Sequence, residues 1–270
     1  RAIATTEEER RLAERRRAAV LPFDLQSVLG ANLGDLDLDF FEREYLPAAV
    51  DRDILAQNRR RLEDQLKALR LLAPSGQPTV LGILVLGKDT RYYLPGAYIQ
   101  FLRFDGTSLT DPIRDQKVID GSLAYLLRRL DELLEAHNAV GTFITAGPVE
   151  IRVPEYPLEA LRQLTRNAVL HRNYETSNDP VRIYWFSDRI EIHSPGGPFG
   201  QVTCENFGQP GVTDYRNPHL AEAMRVLGYV QRFGVGIPIA RDELAKNDNP
   251  APEFVPGLAH LLVVVRRRRA

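Results

Sequence analysis

Sulfur is almost missing from this sequence: 270 residues hold one cysteine, Cys204, and one methionine, Met224. A single cysteine excludes an internal disulfide framework and a multi-cysteine metal site. It suits a reducing compartment, and the cytoplasm is the expected location. Long apolar runs are lacking too. None approaches the ~18 residues of a membrane span, and there is no signal peptide, so no membrane partner is expected. Nor does charge of one sign dominate: 35 Lys and Arg stand against 36 Asp and Glu, a net −1. Nothing global therefore draws the chain to nucleic acid. Contact with DNA would need a local patch or sequence outside this chain. The chain opens at Arg1 rather than methionine, which reads as a fragment or processed form. There is no Gly-x-x-x-x-Gly-Lys-Ser/Thr loop, the phosphate cradle of a P-loop motor. Lys88 follows Gly87 in Leu-Gly-Lys-Asp, but without that loop around it.

What is present is an ordinary globular composition, 44% apolar and 26% charged, long enough for one large domain or two ordinary ones. Residues 1–20 read as a charged linker helix, acidic first and basic last, with Arg15, Arg16 and Arg17 near its end. Residues 22–34 read as a loop. Helical periodicity covers 37–46 and 51–72, the second with a stripe of Ile54, Leu55, Leu62, Leu66 and Leu69. Thr79–Leu86 and Tyr98–Phe104 are rich in strand formers. Helix, helix, strand, strand over 37–104 would suit a winged helix, although no basic recognition helix stands out. A helix is expected over 121–138, capped by Asp120. A break at 141–147 places a domain boundary near 145. The expected division is therefore a middle α/β domain over 21–145 and a second domain over 146–270.

In the second half, Val149, Ile151 and Val153 alternate with charged residues as a strand does. Pro157 to Glu175 follows as a helix. Leu158, Leu161, Leu164, Thr165 and Ala168 form its apolar stripe. Gln163, Asn167 and His171 recur every four residues on another face. That face fits either a half-exposed helix or the roof of a ligand site. Val181–Phe186 and Arg189–His193 read as a hairpin joined by Ser187 and Asp188, ending at Ser194-Pro195-Gly196-Gly197. Residues 198–216 form a long loop without periodicity. A helix starts at Asn217-Pro218. Gly234-Val235-Gly236 opens another, and Leu261–Val265 is a buried strand with an arginine tail.

Three of these pieces have a rationale in nucleotide chemistry. An asparagine amide oxygen is a neutral, hard ligand for a Mg²⁺ that carries phosphates. Glycines at a turn permit close backbone approach. A Gly-x-Gly at a helix start aims free N–H groups at an anion. In this order the pieces resemble a known family. Asn167-Ala-Val-Leu-His-Arg-Asn-Tyr174, Asp188-Arg-Ile-Glu-Ile-His-Ser-Pro-Gly-Gly197, Tyr215-Arg-Asn-Pro218 and Gly228-Tyr-Val-Gln-Arg-Phe-Gly-Val-Gly-Ile237 carry the resemblance. It is to the divergent ATP-binding module, the Bergerat fold, of bacterial RecG-related and Schlafen AlbA-domain transcriptional regulators. Phe101-Leu-Arg-Phe-Asp-Gly106 is similar to the segment that precedes this module in the family.

The resemblance implies an α/β fold, an α+β sandwich. Its C-terminal module has a mixed sheet covered by helices on one face and is preceded by a smaller α/β domain. It implies ATP or ADP with Mg²⁺ as ligand: Asn167 as the metal and phosphate residue, the Ser194 turn with Gly196 and Gly197 facing adenine, Gly234 and Gly236 at the phosphates, and His171 on the same wall. Residues 198–216 would be the lid. The further partners implied are DNA, through an upstream domain, and a second copy of the chain. Two departures bear on activity. The family's general-base glutamate is here Gln163, which cannot take a proton at neutral pH. An adenine-accepting aspartate falls at Ser194. The expected function is a sensor module of a transcriptional regulator that binds nucleotide with little or no hydrolysis. A dimerisation module without nucleotide and an active ATPase are the alternatives.

Overall fold

The computed structural model describes residues 21–57, 60–144, 150–209, 211–230 and 234–268. The charged segment 1–20, Val149 and the middle of the Gly228–Ile237 motif lie outside them.

The first half is built from short helical pieces. Leu38–Phe40, Phe41–Tyr45 and Leu46–Ala49 run end to end, with the middle piece wound as a π-helix. The long helix expected over 51–72 is instead Arg52–Gln57 and Leu62–Ala68, followed by Arg70 at φ +62°. Of its expected stripe only Leu66 is buried.

Thr79–Leu86 is a second correction. It is a helix, α1 (Val80–Leu86), not a strand. Thr79 caps it, accepting from Gly82 N at 3.0 Å while donating to the Arg70 carbonyl at 2.8 Å. All seven helical residues are buried. A helix apolar on every side belongs inside a core, and burial there outweighs the strand preference of its side chains. The winged-helix order therefore fails at its first strand.

Six strands make the main sheet. β1 (Ile99–Phe104) and β2 (Ile113–Ile119) pair antiparallel, then helix α2 (Leu123–His137) follows. Asp120 does not cap α2. Ser122 holds that place, and Asp120 pairs with Arg91 at 3.1 Å. β3 (Val140–Ile144) and β4 (Glu150–Pro154) form a separate hairpin, and α3 (Leu158–Leu170) follows. β5 (Val181–Trp185), β6 (Arg189–Pro195), helix α4 (Pro218–Val226), helix α5 (Gly236–Lys246), β7 (Glu253–Pro256) and β8 (His260–Arg266) complete the chain. The order across the sheet is β2-β1-β5-β6-β8-β7, with β1 and β5 parallel and every other pair antiparallel. One sheet thus takes strands from both sides of residue 145.

Alternate residues point to one side. Ile99 and Phe101, Val181, Ile183 and Trp185, Ile190 and Ile192, Val263 and Val265 are all buried. α3 packs on β6, with α2 and α5 against α3. Asp131 of α2 receives Arg166 of α3 at 2.7 Å and Arg162 at 3.4 Å. The result is the expected mixed α/β sandwich. Near the end of the chain Arg266 and Arg267 are exposed, and each also pairs with a carboxylate, Arg266 with Glu253 at 2.7 Å and Arg267 with Glu155 at 2.7 Å.

The seating of α1 leaves no room at Gly82, where an added Cβ would overlap the Leu71 carbonyl oxygen. Gly82→Ala should lower stability by about 3 kcal/mol, read by urea unfolding. A loss below about 1 kcal/mol would contradict this packing.

Candidate functional site

The site is assembled at the C-terminal end of α3. An α-helix leaves its last four carbonyls without intrahelical partners unless the chain turns back to them. Here the first is closed by the C-cap residue and the other three by side chains from further along the chain. Asn167 O accepts from His171 N at 2.9 Å. Ala168 O accepts from Ser194 Oγ at 2.8 Å. Val169 O accepts from Tyr174 Oη at 2.8 Å. Leu170 O accepts from Asn217 Nδ2 at 2.7 Å, and the same amide reaches Arg172 O at 2.9 Å. The helix end is thereby tied to the end of β6, to the segment after the helix and to the start of α4. Arg172, also buried, donates to the carbonyls of Asn173, Ser177 and Asp179 and fixes that segment.

These ties enclose a cavity of about 600 Å³. Its wall on α3 is the polar row Gln163, Asn167 and His171. All the sequence candidates line it: Asn167, His171, Ser194, Gly196, Gly197, Gly234 and Gly236. The loop 198–216 covers it with Phe199, Val202, Phe207 and Val212. The loop is held by Gln201, whose Nε2 donates to Thr213 O at 2.6 Å, and by Arg241 of α5, which donates to Gly208 O at 3.3 Å.

At one end the first turn of α5 lies on α3. A Cβ on Gly236 would sit 3.0 Å from both Gln163 Oε1 and Asn167 Nδ2, so glycine allows this approach. Gly234 has φ +62°, and a Cβ there would overlap Thr213 of the covering loop. Gln163 is buried and donates through Nε2 to Glu159 Oε1 at 2.7 Å. Glu159 is not part of the cavity lining.

At the other end, Ser194 is buried and its hydroxyl proton is committed to α3. Gly196 has φ +110°, and its N–H donates to Ala259 O at 2.8 Å. A Cβ on Gly197 would overlap the carbonyl oxygen of Gly257, so the chain's own backbone already requires that glycine. Arg216 donates to Gly197 O at 3.1 Å and lies 4.7 Å from the Phe199 ring centre. Burial pushes its guanidinium below the usual range. The His171 ring stacks on Tyr215, with centroids 5.5 Å apart. Burial pushes the imidazole down to about 4, the charge of Arg216 adds to the push, and Asp214 opposes it. His171 is therefore neutral at pH 7. Among the described residues, no three His, Cys, Asp or Glu side chains gather at one point.

Sequence reading passed over Arg172, Arg216 and Asn217 as site builders. Asn217 stood out only as a helix start, and nothing local marks it as a partner for carbonyls about 45 residues earlier.

Comparison with known proteins now bears on this geometry. Residues 178–265 match the family model described as "Putative ATP-dependent DNA helicase recG C-terminal". The match takes in the hairpin, the covering loop and α5. It stops short of α3, and so of Gln163, Asn167 and His171. No curated protein matches. Among solved structures, the chain is similar to the DIP2311 protein from Corynebacterium diphtheriae, with a TM-score of 0.67 and 24% identity. The similarity covers 96% of this chain and 50% of that one. At this identity it shows a shared fold, and this chain spans about half the length of that protein.

Two measurements probe the site's construction. Asn217→Ala strands two buried carbonyls and should cost about 2–3 kcal/mol in urea unfolding. A loss under about 0.5 kcal/mol would show that the latch is idle. His171 protonates at about 4 when folded and near the ordinary 6.5 when unfolded. Its stabilising contribution is present above 6.5 and is lost as pH falls from there toward 4. The loss reaches up to about 2 kcal/mol by pH 5. His171→Asn should therefore flatten the fall in Tm between pH 7 and pH 5. Parallel falls for both proteins would refute the burial argument.

Proposed function

We propose that this chain is a nucleotide-binding regulatory module that holds ATP or ADP with Mg²⁺ in the cavity beneath residues 198–216 and turns it over slowly or not at all. The observation that carries the reading is the meeting of the seven residues implied by the resemblance on one cavity of about 600 Å³. That volume lies within the range of small-molecule sites. Gln163 and His171 are eight residues apart on α3, so the polar row runs about 12 Å, comparable with a nucleoside and its first phosphates. The N-terminus of α5 would meet the phosphates with free N–H groups and the positive end of its dipole. Asn167 would give one amide oxygen to Mg²⁺, which otherwise keeps water and phosphate oxygens. The ion would supply neutralisation of phosphate charge. The closeness of Gly236 to Asn167, whose Nδ2 lies 3.0 Å from where a Cβ would stand, supports this pairing of the helix start with the ion residue.

Slow turnover follows from Gln163. An amide cannot accept the proton of an attacking water, and the nearest carboxylate on the helix, Glu159, is bonded to Gln163 outside the cavity lining. The resemblance extends the proposal to a transcriptional regulator, in which occupancy of this module biases DNA binding elsewhere in the protein. A second reading, a dimerisation module without nucleotide, draws support from Ser194 and Gly197. Both are committed to internal packing.

Titration of a fluorescent ATP or ADP analogue with Mg²⁺ tests the first reading. Saturable binding is expected, and Asn167→Ala should weaken the Mg²⁺-dependent part at least tenfold, about 1.4 kcal/mol. No saturation at millimolar nucleotide would sink it in favour of the second. Phosphate release should stay at background for the unaltered chain and rise, if at all, only in Gln163→Glu. Robust turnover by the unaltered chain would refute the general-base argument.

A further inference from the structure

We propose that two copies of this chain pair through the free edge of β2, antiparallel and about a two-fold axis at Gln116, so that their sheets continue as one. The six-stranded sheet ends in β7 on one side and in β2 on the other. An edge strand presents N–H and C=O groups to solvent and pairs with another chain unless it is guarded. β7 is guarded. It is four residues long, follows Pro252 and ends in Pro256. The loop 198–216 lies against it: Cys204 donates to Pro256 O at 3.6 Å, and Phe207 packs on Phe254 with ring centres 5.5 Å apart. β2 is seven residues long and holds no proline. Among the described residues no strand pairs with its outer side. All of it is exposed except half-buried Asp115 and buried Ile119.

Charge selects both the partner and the register. A two-fold axis normal to the sheet sets one residue opposite its own copy and pairs the others symmetrically about it. Directly opposed side chains share a face, with Cβ atoms about 4.5–5.5 Å apart, and like charges there are destabilising. An axis at Asp115 opposes two aspartates, and an axis at Lys117 opposes two lysines. An axis at Val118 shortens the overlap and sets Lys117 against Ile119. An axis at Gln116 opposes two amides and sets Asp115 of each copy against Lys117 of the other. Asp115 and Lys117 already pair along their own strand at 2.9 Å. The four charges therefore alternate in sign around the axis. The lysine that deters pairing in other registers favours this one.

The opposite face of the strand adds apolar contact. Arg103 pairs with Asp115 and Phe104 with Ile113, so Arg114 is an extra residue. This bulge turns Ile113 to the face of Gln116 and Val118. Ile113 and Val118 are 52% and 49% exposed. About the Gln116 axis, Val118 of each copy meets Arg114 and the adjoining Ile113 of the other, which takes apolar surface of both out of water. β1 and β5 stand between β2 and β6. The pairing therefore leaves the cavity accessible and stands whether or not it holds nucleotide.

Sedimentation velocity of the chain from about 1 to about 100 µM should show a reversible monomer–dimer equilibrium. Lys117→Asp gathers only carboxylates at the axis and should weaken the dimer about tenfold or more. Asp115→Lys gathers only lysines there and should do the same. Mixing the two variants should restore the dimer as a heterodimer, because opposite charges then face each other. For the register, Gln116→Cys in a Cys204→Ser background should form an intermolecular disulfide on mild oxidation. Val118→Cys in that background should not, because its own copy lies about 13 Å away along the strands. A chain that stays monomeric at about 100 µM would overturn the proposal. So would an undiminished dimer in Lys117→Asp, a mixture of the folded charge variants that stays monomeric, or crosslinking at 118 as fast as at 116. If a charge variant does not fold, the two cysteine variants decide, since both positions are exposed and leave Asp115 and Lys117 in place.

Discussion

The fold of this protein's second half depends on how one helix ends. The last four carbonyls of α3 must be satisfied: His171 and Tyr174 just after the helix meet two of them, Ser194 a third and Asn217 the fourth. A buried, unpaired carbonyl costs about 1–3 kcal/mol, so these ties are not optional. They set the end of β6, the start of α4 and the turn after α3 around one point. The cavity is the space that remains between them. It is closed on the far side by α5, which Gly236 allows to lie directly on the amides of Gln163 and Asn167.

This separates two roles that a motif runs together. In Asn167-Ala-Val-Leu-His-Arg-Asn-Tyr174, the side chains of Asn167 and His171 face the cavity, whereas Arg172 and Tyr174 hold backbone carbonyls. In Ser194-Pro-Gly-Gly197, Ser194 clamps the helix and Gly197 makes room for Gly257. Much of what resembles a binding signature is framework. The polar side chains of the lining not used in this framework include Asn167 and His171. Gln163, also on this wall, has one of its amide N–H groups engaged by Glu159.

Much of the second half was legible in the sequence. The apolar stripe of α3, the β5–β6 hairpin with its tight Ser187-Asp188 connection, and the Gly-x-Gly before α5 are local patterns with local causes, and the structure has all three. The first half was harder. The β-branched and apolar run at Thr79–Leu86 looks like a strand by composition, yet burial on every side makes it a helix. The long helix of 51–72 breaks, and its apolar stripe stays largely outside the core. β7 was missed because four residues on an edge leave almost no periodicity to detect.

By itself, then, the sequence determined the element types where periodicity and turn chemistry agree, the exclusion of an internal disulfide, and the set of polar residues available for a site. Only the tertiary structure decided that strands from 99–119 join those from 181–266 in one sheet, that the chosen glycines and amides meet on one cavity, and that Arg216 lines it while bonding Gly197 O. The physical reason is range. Periodicity and capping act over a few residues. Asn217 meets Leu170 and β1 pairs with β5 only because the folded core brings them together.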